Sequence, residues 1–185
     1  MPSPLTDDQL AAMLVNGVRP TTVVLADYDP SWPARYDEAA DRLRAALGPR
    51  LRLIEHIGST SVPGLIAKPI IDIVIGIDDP DDEAGYFPDL HTAGYQPRVR
   101  EPGHRCLKGA AGALSVNLHC YAPDSTWVHR YLVFRDRLRT DPADRARYAA
   151  AKQALTDREW ADINYYAEAK GPTIDEILER AGWTG

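Results

Sequence analysis

Residues 51–77 read LRLIEHIGSTSVPGLIAKPIIDIVIGI, an apolar run followed by a polar loop from Gly58 and a second apolar run. This order predicts a strand, a loop and a second strand. Residues 70–77 are apolar enough for the interior of a sheet, yet they include one acid, Asp72. An unpaired buried carboxylate costs on the order of several kcal/mol. Asp72 therefore needs a partner, a metal ion or a catalytic role, and we take it as the centre of the functional site.

The length and composition predict a single cytoplasmic domain over residues 1–185, with an N-terminal helical extension (residues 1–20) and C-terminal helices (residues 125–185) packed on the core. The net charge of −6 argues against binding to duplex nucleic acid. The N-terminus has no signal-peptide pattern, and no apolar run reaches about 18 residues, so no membrane partner is expected. The two cysteines lack CxxC spacing, which favours buried thiols. A homodimer is left open.

The predicted elements belong to the α+β class, with a mixed β-sheet flanked by helices and a C-terminal helical segment. Strands are predicted at residues 23–25, 51–57, 70–77, 96–99, 105–108 and 114–121, with a turn over residues 109–112. Helices are predicted from Thr6 to about Asn16-Gly17, from Ser31 to Gly48, over residues 83–93, and several times after residue 125, among them a helix capped by Asp141 and helices over residues 157–170 and 173–181.

The loop after the first of these strands has the residues of an anion-binding turn. Its backbone N–H groups and the hydroxyls of Ser59, Thr60 and Ser61, next to Gly58, are donors of the kind that hold phosphate oxygens. The P-loop and Rossmann glycine patterns are both absent. A turn of this composition is also common in loops without a ligand. The prediction of an anion-binding turn therefore depends on the presence of Asp72 on the following strand.

Further candidates lie on the strand over residues 114–121 and near its neighbours. Alternation with apolar residues puts Asn117 and His119 on one face of that strand. Lys68 opens the strand of Asp72, and Lys170 belongs to a late motif that is expected to close over the same site. Arg105, with the neighbouring His104 and Lys108, would contact an anion or lie on a solvated hairpin face.

Four motifs resemble the GrpB family: YDPSWP at residues 28–33, IEHIGSTSVPGL at residues 54–65, AKPIIDI at residues 67–73 and EAKGP at residues 168–172. The resemblance extends over about residues 23–181. It implies the nucleotidyltransferase-like mixed sheet of the DNA polymerase β superfamily. Some members of the family are fused to dephospho-CoA kinase, and most are uncharacterised.

By that resemblance, Gly58 and Ser59 would hold a triphosphate, and Asp72 would be the first ligand of Mg²⁺. The sequence departs from the superfamily pattern at the second acid, where it has Val74, and at the third, where the later strand offers Asn117 and His119. One carboxylate and an imidazole make a poor two-metal site, because Mg²⁺ prefers hard oxygen ligands.

Three roles of Asp72 follow from this departure. The carboxylate binds one Mg²⁺ together with the ligand's own phosphates, or it orients His119 or His56 as a catalytic base, or it is a structural acid paired with Lys68 or Arg105. Glu55 and His56 alternate along their strand, so they are not expected to act as a pair.

The resulting functional prediction is a GrpB-type protein that binds a nucleotide or a phosphorylated small molecule and catalyses metal-assisted nucleotidyl or related group transfer to a small-molecule acceptor. Two alternatives remain. One is a repurposed fold that uses His/Asp acid–base chemistry on a small metabolite. The other is a non-catalytic module that binds a nucleotide or a CoA precursor.

Overall fold

A five-stranded mixed sheet forms the centre of the computed structural model, which describes residues 6–15 and 17–185. Its order is β2-β3-β6-β5-β4, in which β3 is parallel to β6 and the other neighbours are antiparallel. The strands are β2 (Leu53–Ile57), β3 (Ile70–Gly76), β4 (Gln96–Glu101), β5 (His104–Ala111) and β6 (Leu114–Tyr121). A separate antiparallel pair joins β1 (Thr21–Thr22) to β7 (Glu159–Trp160). The predicted α+β class with a mixed sheet is confirmed.

The helices precede, interrupt and follow the sheet, as the sequence predicts. They are α1 (Asp7–Met13), α2 (Trp32–Leu47), α3 (Phe87–Thr92), α4 (Thr126–Thr140), α5 (Pro142–Gln153), α6 (Ile163–Ala169) and α7 (Gly171–Arg180). Thr6 forms a capping box with Gln9, and the Asp141 carboxylate accepts hydrogen bonds from the N–H groups of Ala143 and Asp144. No helix among the described residues is both long and apolar enough to cross a membrane.

The two faces of the sheet are covered by different helices. On one face, Ile71, Ile73 and Ile75 of β3 are fully buried against α2 and α3. On the other face, Val74 packs with Val128 of α4. Because successive residues of a strand point to opposite faces, Asp72 lies on the α4 side, between two residues of β3 that face α2.

The C-terminal helices also cover the loop that follows β2. Val62 and Leu65 from this loop pack in one buried cluster with Leu138 of α4, Tyr148 of α5 and Ile177 of α7. α1 packs at the far edge of the sheet, where Leu10 and Leu14 join residues of β4 and β5. The loop after β2 is therefore enclosed between the sheet and helices that lie far away in the sequence.

Several element boundaries differ from the sequence prediction. The strand predicted over residues 23–25 is wrong, since β1 lies at Thr21–Thr22 and Val23 packs with Trp160 and Tyr166. The helix predicted over residues 157–170 begins only at Ile163, because β7 pairs with β1. The helix predicted over residues 83–93 is split into a 3₁₀ turn (Glu83–Gly85) and α3.

Three smaller predictions are also corrected. β5 continues to Ala111, so the connection to β6 consists of residues 112 and 113 instead of the predicted turn over residues 109–112. Ser31 precedes α2, but its side chain makes no capping hydrogen bond. α1 ends at Met13, and the following Leu14 pairs with Val99 instead of continuing the helix. The N-terminal extension is predicted to begin at residue 1 and its helix to end at about Asn16. Residues 1–5 and Asn16 lie outside the described residues.

Asp144 joins three of the C-terminal helices. Asp144 is only 4% exposed. Its carboxylate accepts hydrogen bonds from Arg137 Nε of α4 at 2.7 Å and from Arg180 Nε of α7 at 2.8 Å. Removing the acid takes away the partner of Arg180 and leaves Arg137 with Asp141 alone. A buried ion pair that loses one partner is strongly destabilised, whereas an exposed pair contributes little.

We expect Asp144→Ala to lower the free energy of unfolding by about 2 kcal/mol, below the range for fully buried pairs because Arg180 is partly exposed. Urea denaturation followed by circular dichroism measures this change. Asp41→Ala is the control, because Asp41 is 77% exposed and pairs only with Arg44 within one helix; it should cost less than about 0.5 kcal/mol. Equal losses in the two variants would contradict the role of Asp144.

Candidate anion-binding site

The site begins where the chain leaves β2 and passes against Asp72. Ile57, the last residue of β2, is paired with Asp72 on β3, and Gly58 follows with φ of 70°. A Cβ atom at Gly58 would lie 2.3 Å from Asp72 Oδ2. Only glycine adopts this backbone conformation readily and leaves room for the carboxylate. The contact between Gly58 and Asp72 therefore places the Ser59 turn beside the acid.

Asp72 is held by a short chain of polar side chains across the sheet. Asn117, its register partner on β6, donates a hydrogen bond from Nδ2 to Asp72 Oδ1 at 2.6 Å. The Asn117 Oδ1 atom in turn accepts a hydrogen bond from Lys108 Nζ on β5. Burial raises the pKa of the Asp72 carboxyl, while the Asn117 hydrogen bond and nearby lysines favour its ionised form.

All four lysines of the chain surround this carboxylate. The sequence has 21 lysines and arginines, and only four of them are lysines. Burial raises the pKa of Asp72, and the charges of Lys170, Lys108 and Lys68 oppose this rise. Burial lowers the pKa of the fourth lysine, Lys152, and the charge of Asp72 opposes this fall. In the described part of the chain, no lysine forms an ion pair within 4.0 Å of Asp72. The ammonium groups thus surround the acid without neutralising it by direct contact.

Lys152 is the most deeply buried of the four. It is 2% exposed, and its Nζ atom lies 3.0 Å from Ser59 Oγ and donates a hydrogen bond to the Ile66 carbonyl. Burial, reinforced by the nearby Lys170 and opposed by Asp72, lowers the pKa of Lys152 to about 7. Burial and the neighbouring Lys108 lower the pKa of Lys68 to about 8. Burial also lowers the pKa of Lys170.

The three hydroxyls of the loop have different surroundings. Thr60 donates to the Ile70 carbonyl at 3.0 Å, and Ser61 donates to the Gly58 carbonyl at 2.6 Å. Both side chains are buried and stabilise the loop itself. Ser59 is half-buried and faces Lys152. Of the predicted phosphate contacts in this loop, the geometry favours Ser59 over Thr60 and Ser61.

The two histidines predicted as catalytic bases lie away from Asp72. His56 is on the opposite face of the sheet, where its ring stacks on Tyr36 and its Nε2 atom lies 3.1 Å from Thr60 Oγ1. His119 is on the same face as Asp72, but its Nδ1 atom contacts His104 Nε2 at 3.2 Å. The proposed pairing of Asp72 with His56 is therefore wrong, and Asp72 makes its side-chain hydrogen bond with Asn117 instead of His119.

Both imidazoles are neutral. Burial, reinforced by Arg139 and Arg135, lowers the pKa of His56 to about 3, and burial together with His104 and Lys108 lowers that of His119 to about 3. A base with so low a pKa accepts a proton poorly near neutral pH.

Arg105 also lies on the wrong face for Asp72. Arg105 is paired in register with Cys120, whereas Lys108 is paired with Asn117. Arg105 and Cys120 therefore lie on the face of the sheet opposite to the one that carries Asn117 and Lys108. Its guanidinium forms salt bridges with Asp81 at 2.8 Å and Glu83 at 2.5 Å. The predicted pairing of Asp72 with Arg105 is therefore wrong, because strand alternation directs the two side chains to opposite faces.

The donor set does not fit a resident pair of Mg²⁺ ions. Val74, at the expected position of a second acid, is fully buried in an apolar cluster with Ile57, Tyr121 and Val128. Asn117 Oδ1 is engaged by Lys108. Among the described residues, no group of three His, Cys, Asp or Glu side chains is arranged to hold a metal ion. One carboxylate surrounded by lysines repels cations and attracts anions.

These features define a class of protein with an α+β fold and a lysine-rich candidate site beside a glycine–serine turn. Comparison with known proteins identifies the family: residues 22–180 match the model of the family described as GrpB protein. The chain belongs to the GrpB family, as its motifs predict. The sequence is 42% identical over 187 residues to the UPF0157 protein BH1888 of Halalkalibacterium halodurans, covering 98% of this chain and 95% of that protein.

Two other similarities concern structure and domain context. The crystal structure of the conserved protein GrpB from Enterococcus faecalis has a TM-score of 0.71 and 30% identity, covering 85% of this chain and 96% of that one. A dephospho-CoA kinase of Mycolicibacterium paratuberculosis is 29% identical over 186 residues, which cover 86% of this chain and 46% of the kinase. The match to the kinase is thus to less than half of its length.

Sequence reasoning missed Lys152 and Tyr148, which come from α5 and face Ser59. Burial raises the pKa of the Tyr148 phenol, and its interaction with the Ser59 side chain opposes that rise. One signal was present in the sequence: lysine is rare in a chain that uses arginine for most of its positive charge. Lysine and arginine differ in that a buried lysine can lose its proton. The rarity of lysine is therefore a signal that could have drawn attention to Lys152.

Gly58→Ala tests the contact with Asp72. We expect it to lower the free energy of unfolding by more than about 2 kcal/mol, because the new Cβ requires a strained positive φ and collides with the carboxylate. Gly64→Ala is the matched control, since Gly64 has φ of 77° and nothing lies within 4 Å of an added Cβ. It should lose only the backbone cost of about 1–2 kcal/mol. Urea denaturation measures both, and an equal loss would contradict the proposed close approach.

The buried amine of Lys152 predicts a specific dependence of stability on pH. Between pH about 7 and 10.5, the unfolded chain holds a proton on Lys152 that the folded protein does not. Folding stability therefore rises with pH in this window, by up to about 1.4 kcal/mol per pH unit. Denaturation of the wild type and Lys152→Met across this window should show this extra slope only in the wild type. Arg52→Met, at an exposed site, should keep the slope. Parallel curves for the wild type and Lys152→Met would refute a neutral Lys152.

Proposed function

We propose that this protein binds a small molecule with two or more phosphate groups, such as a nucleotide, between the Ser59 turn and the four lysines. The observation that carries the proposal is the gathering of every lysine of the chain around Asp72 and Ser59. An ammonium group is a compact charge that binds phosphate oxygens strongly.

The energetics of the lysines support a bound anion. Burial disfavours the charged form of Lys68, Lys152 and Lys170, and neighbouring lysines disfavour it further for Lys68 and Lys152. A phosphate group held by Lys68 and Lys170 favours the protonated form of these two amines and removes their mutual repulsion. In the protein without ligand, the charged forms of these lysines are therefore unfavourable. Binding of an anion would remove this free-energy cost.

The lysines also supply the charge that Mg²⁺ supplies in many phosphate sites. The prediction of one Mg²⁺ held by Asp72 and the ligand's phosphates is the alternative, and it differs in the expected effect of removing the acid. If the lysines bind the phosphates, loss of the Asp72 charge strengthens binding. If Asp72 holds a metal ion, the same change weakens metal-dependent binding.

Group transfer to a second small molecule is the wider proposal, and its motivation is the nucleotidyltransferase superfamily that the GrpB motifs imply. The similarity to dephospho-CoA kinases covers less than half of those proteins. It supports the inclusion of dephospho-CoA among the ligands to be tested.

Calorimetric titration of the purified protein tests the proposal. The ligands are ATP, GTP, CTP, UTP, pyrophosphate and dephospho-CoA, each with EDTA and with Mg²⁺. We expect binding in EDTA that weakens about 10-fold or more in Lys170→Gln, because a charge-assisted hydrogen bond contributes about 1.5–3 kcal/mol. Asp72→Asn should bind at least as tightly as the wild type.

Arg52→Gln is the matched control, because it removes one positive charge at an exposed position that pairs only weakly with Asp78 at 3.5 Å. It should change affinity by less than about 2-fold, since surface charges are screened by salt. Absence of binding to all six ligands in a folded protein would overturn the proposal. Binding that requires Mg²⁺ and is lost in Asp72→Asn would replace the lysine mechanism with the metal-dependent one.

A further inference from the structure

The contact between Ser59 and Lys152 has the geometry of a nucleophile and its base. The Lys152 Nζ atom lies 3.0 Å from Ser59 Oγ, although 93 residues separate them in the sequence. Distances of about 2.6–3.2 Å are typical of a hydroxyl nucleophile and the group that takes its proton. Ser59 is half-buried, and it lies next to Gly58, which contacts Asp72.

The surroundings of Lys152 favour a neutral amine that can accept a proton. A neutral amine has two N–H donors and one lone pair, and the Ile66 carbonyl accepts one hydrogen bond from Nζ. The lone pair is then available to the Ser59 hydroxyl. The titratable groups that face Lys152 are Lys170, Asp72 and Tyr148. The ring centroid of Tyr148 is 4.8 Å from Lys152 Nζ.

Other nucleophiles and bases among the described residues are less suitable. Burial raises the pKa of Cys106 to about 12 and that of Cys120 well above its ordinary value, so neither thiol ionises near neutral pH. His56 and His119 are engaged elsewhere, as described above. Ser59 is thus the side chain at which a nearby base and a group of cations meet.

We propose that Ser59 is a nucleophile that accepts a phosphoryl group from a phosphorylated small molecule, with Lys152 as its general base. The proposal rests on the proposed function, because the remaining lysines, Lys68, Lys108 and Lys170, would hold the oxygens of the transferred phosphate. Lysine is known to serve as the base for serine in serine–lysine pairs on unrelated folds.

The reaction consumes only the phosphorylated molecule and water. Lys152 Nζ takes the Ser59 hydroxyl proton as Ser59 Oγ forms a bond to phosphorus. The bond from phosphorus to the leaving oxygen breaks, and that oxygen leaves with the electron pair and receives the proton from Lys152. Water then attacks the phosphoserine ester, with Lys152 again accepting a proton and returning it to Ser59 Oγ as the ester bond breaks.

Labelling with diisopropyl fluorophosphate tests the pair. This reagent is uncharged, so its reaction with Ser59 does not depend on the anion site, and fluoride is the leaving group. We expect one adduct per chain by intact mass, mapped to Ser59 by peptide sequencing. Its rate should increase as pH rises through about 7. Lys152→Met should slow labelling at least about 100-fold, as expected for loss of a general base.

Ser115→Ala is the control for hydroxyl removal, since Ser115 is exposed on β6 away from the loop, and it should leave labelling unchanged. Circular dichroism confirms that each variant is folded; if Lys152→Met is not, the pH profile of the wild type decides. No adduct at Ser59, or a labelling rate independent of pH and of Lys152, would overturn the proposal. If polyphosphates bind and Ser59 is not labelled, only the nucleophile is refuted; failure of binding by every ligand refutes the proposed function instead.

Discussion

The close approach of the Gly58 backbone to the Asp72 carboxylate is the constraint on which the site depends. Strand pairing puts Ile57 opposite Asp72, and the positive φ of Gly58 turns the chain across the acid at once. No side chain can occupy this position without displacing the carboxylate. The contact therefore determines where Ser59 lies relative to Asp72, and with it the place at which the lysines from other elements converge.

The lysines give the site an electrostatic cost that the rest of the fold has to offset. Burial disfavours the charged form of three of them, and among the described residues none forms a direct ion pair with the buried Asp72. Charged and partly neutral amines in such positions are typical of sites that bind an anion or transfer a proton. Several arginines, by contrast, form ion pairs that join elements, as Arg137 and Arg180 do with Asp144.

The C-terminal helices complete the site that the sheet begins. Lys152 and Tyr148 lie four residues apart on one face of α5, so both reach Ser59. Their position depends on the apolar cluster of Val62, Leu65 and Ile177, which packs the loop after β2 against these helices. A change in helix packing is therefore a change in the site. This coupling explains why the candidate site lies at the junction of the sheet and the helical segment.

The sequence by itself determined the α+β class, the strand–loop–strand unit, the buried acid Asp72 and the family, because these depend on local periodicity and on a contiguous motif. It also indicated that Asn117 and His119 share a face, since alternation along one strand is a local property. Only the tertiary structure decided that Lys108 and Lys152 join the expected Lys68 and Lys170 near Asp72 and Ser59, that Asn117 is the hydrogen-bond partner of Asp72, and that His56 and Arg105 point away. Those relations depend on strand order, register and helix packing, which join residues up to 93 positions apart and leave no local pattern.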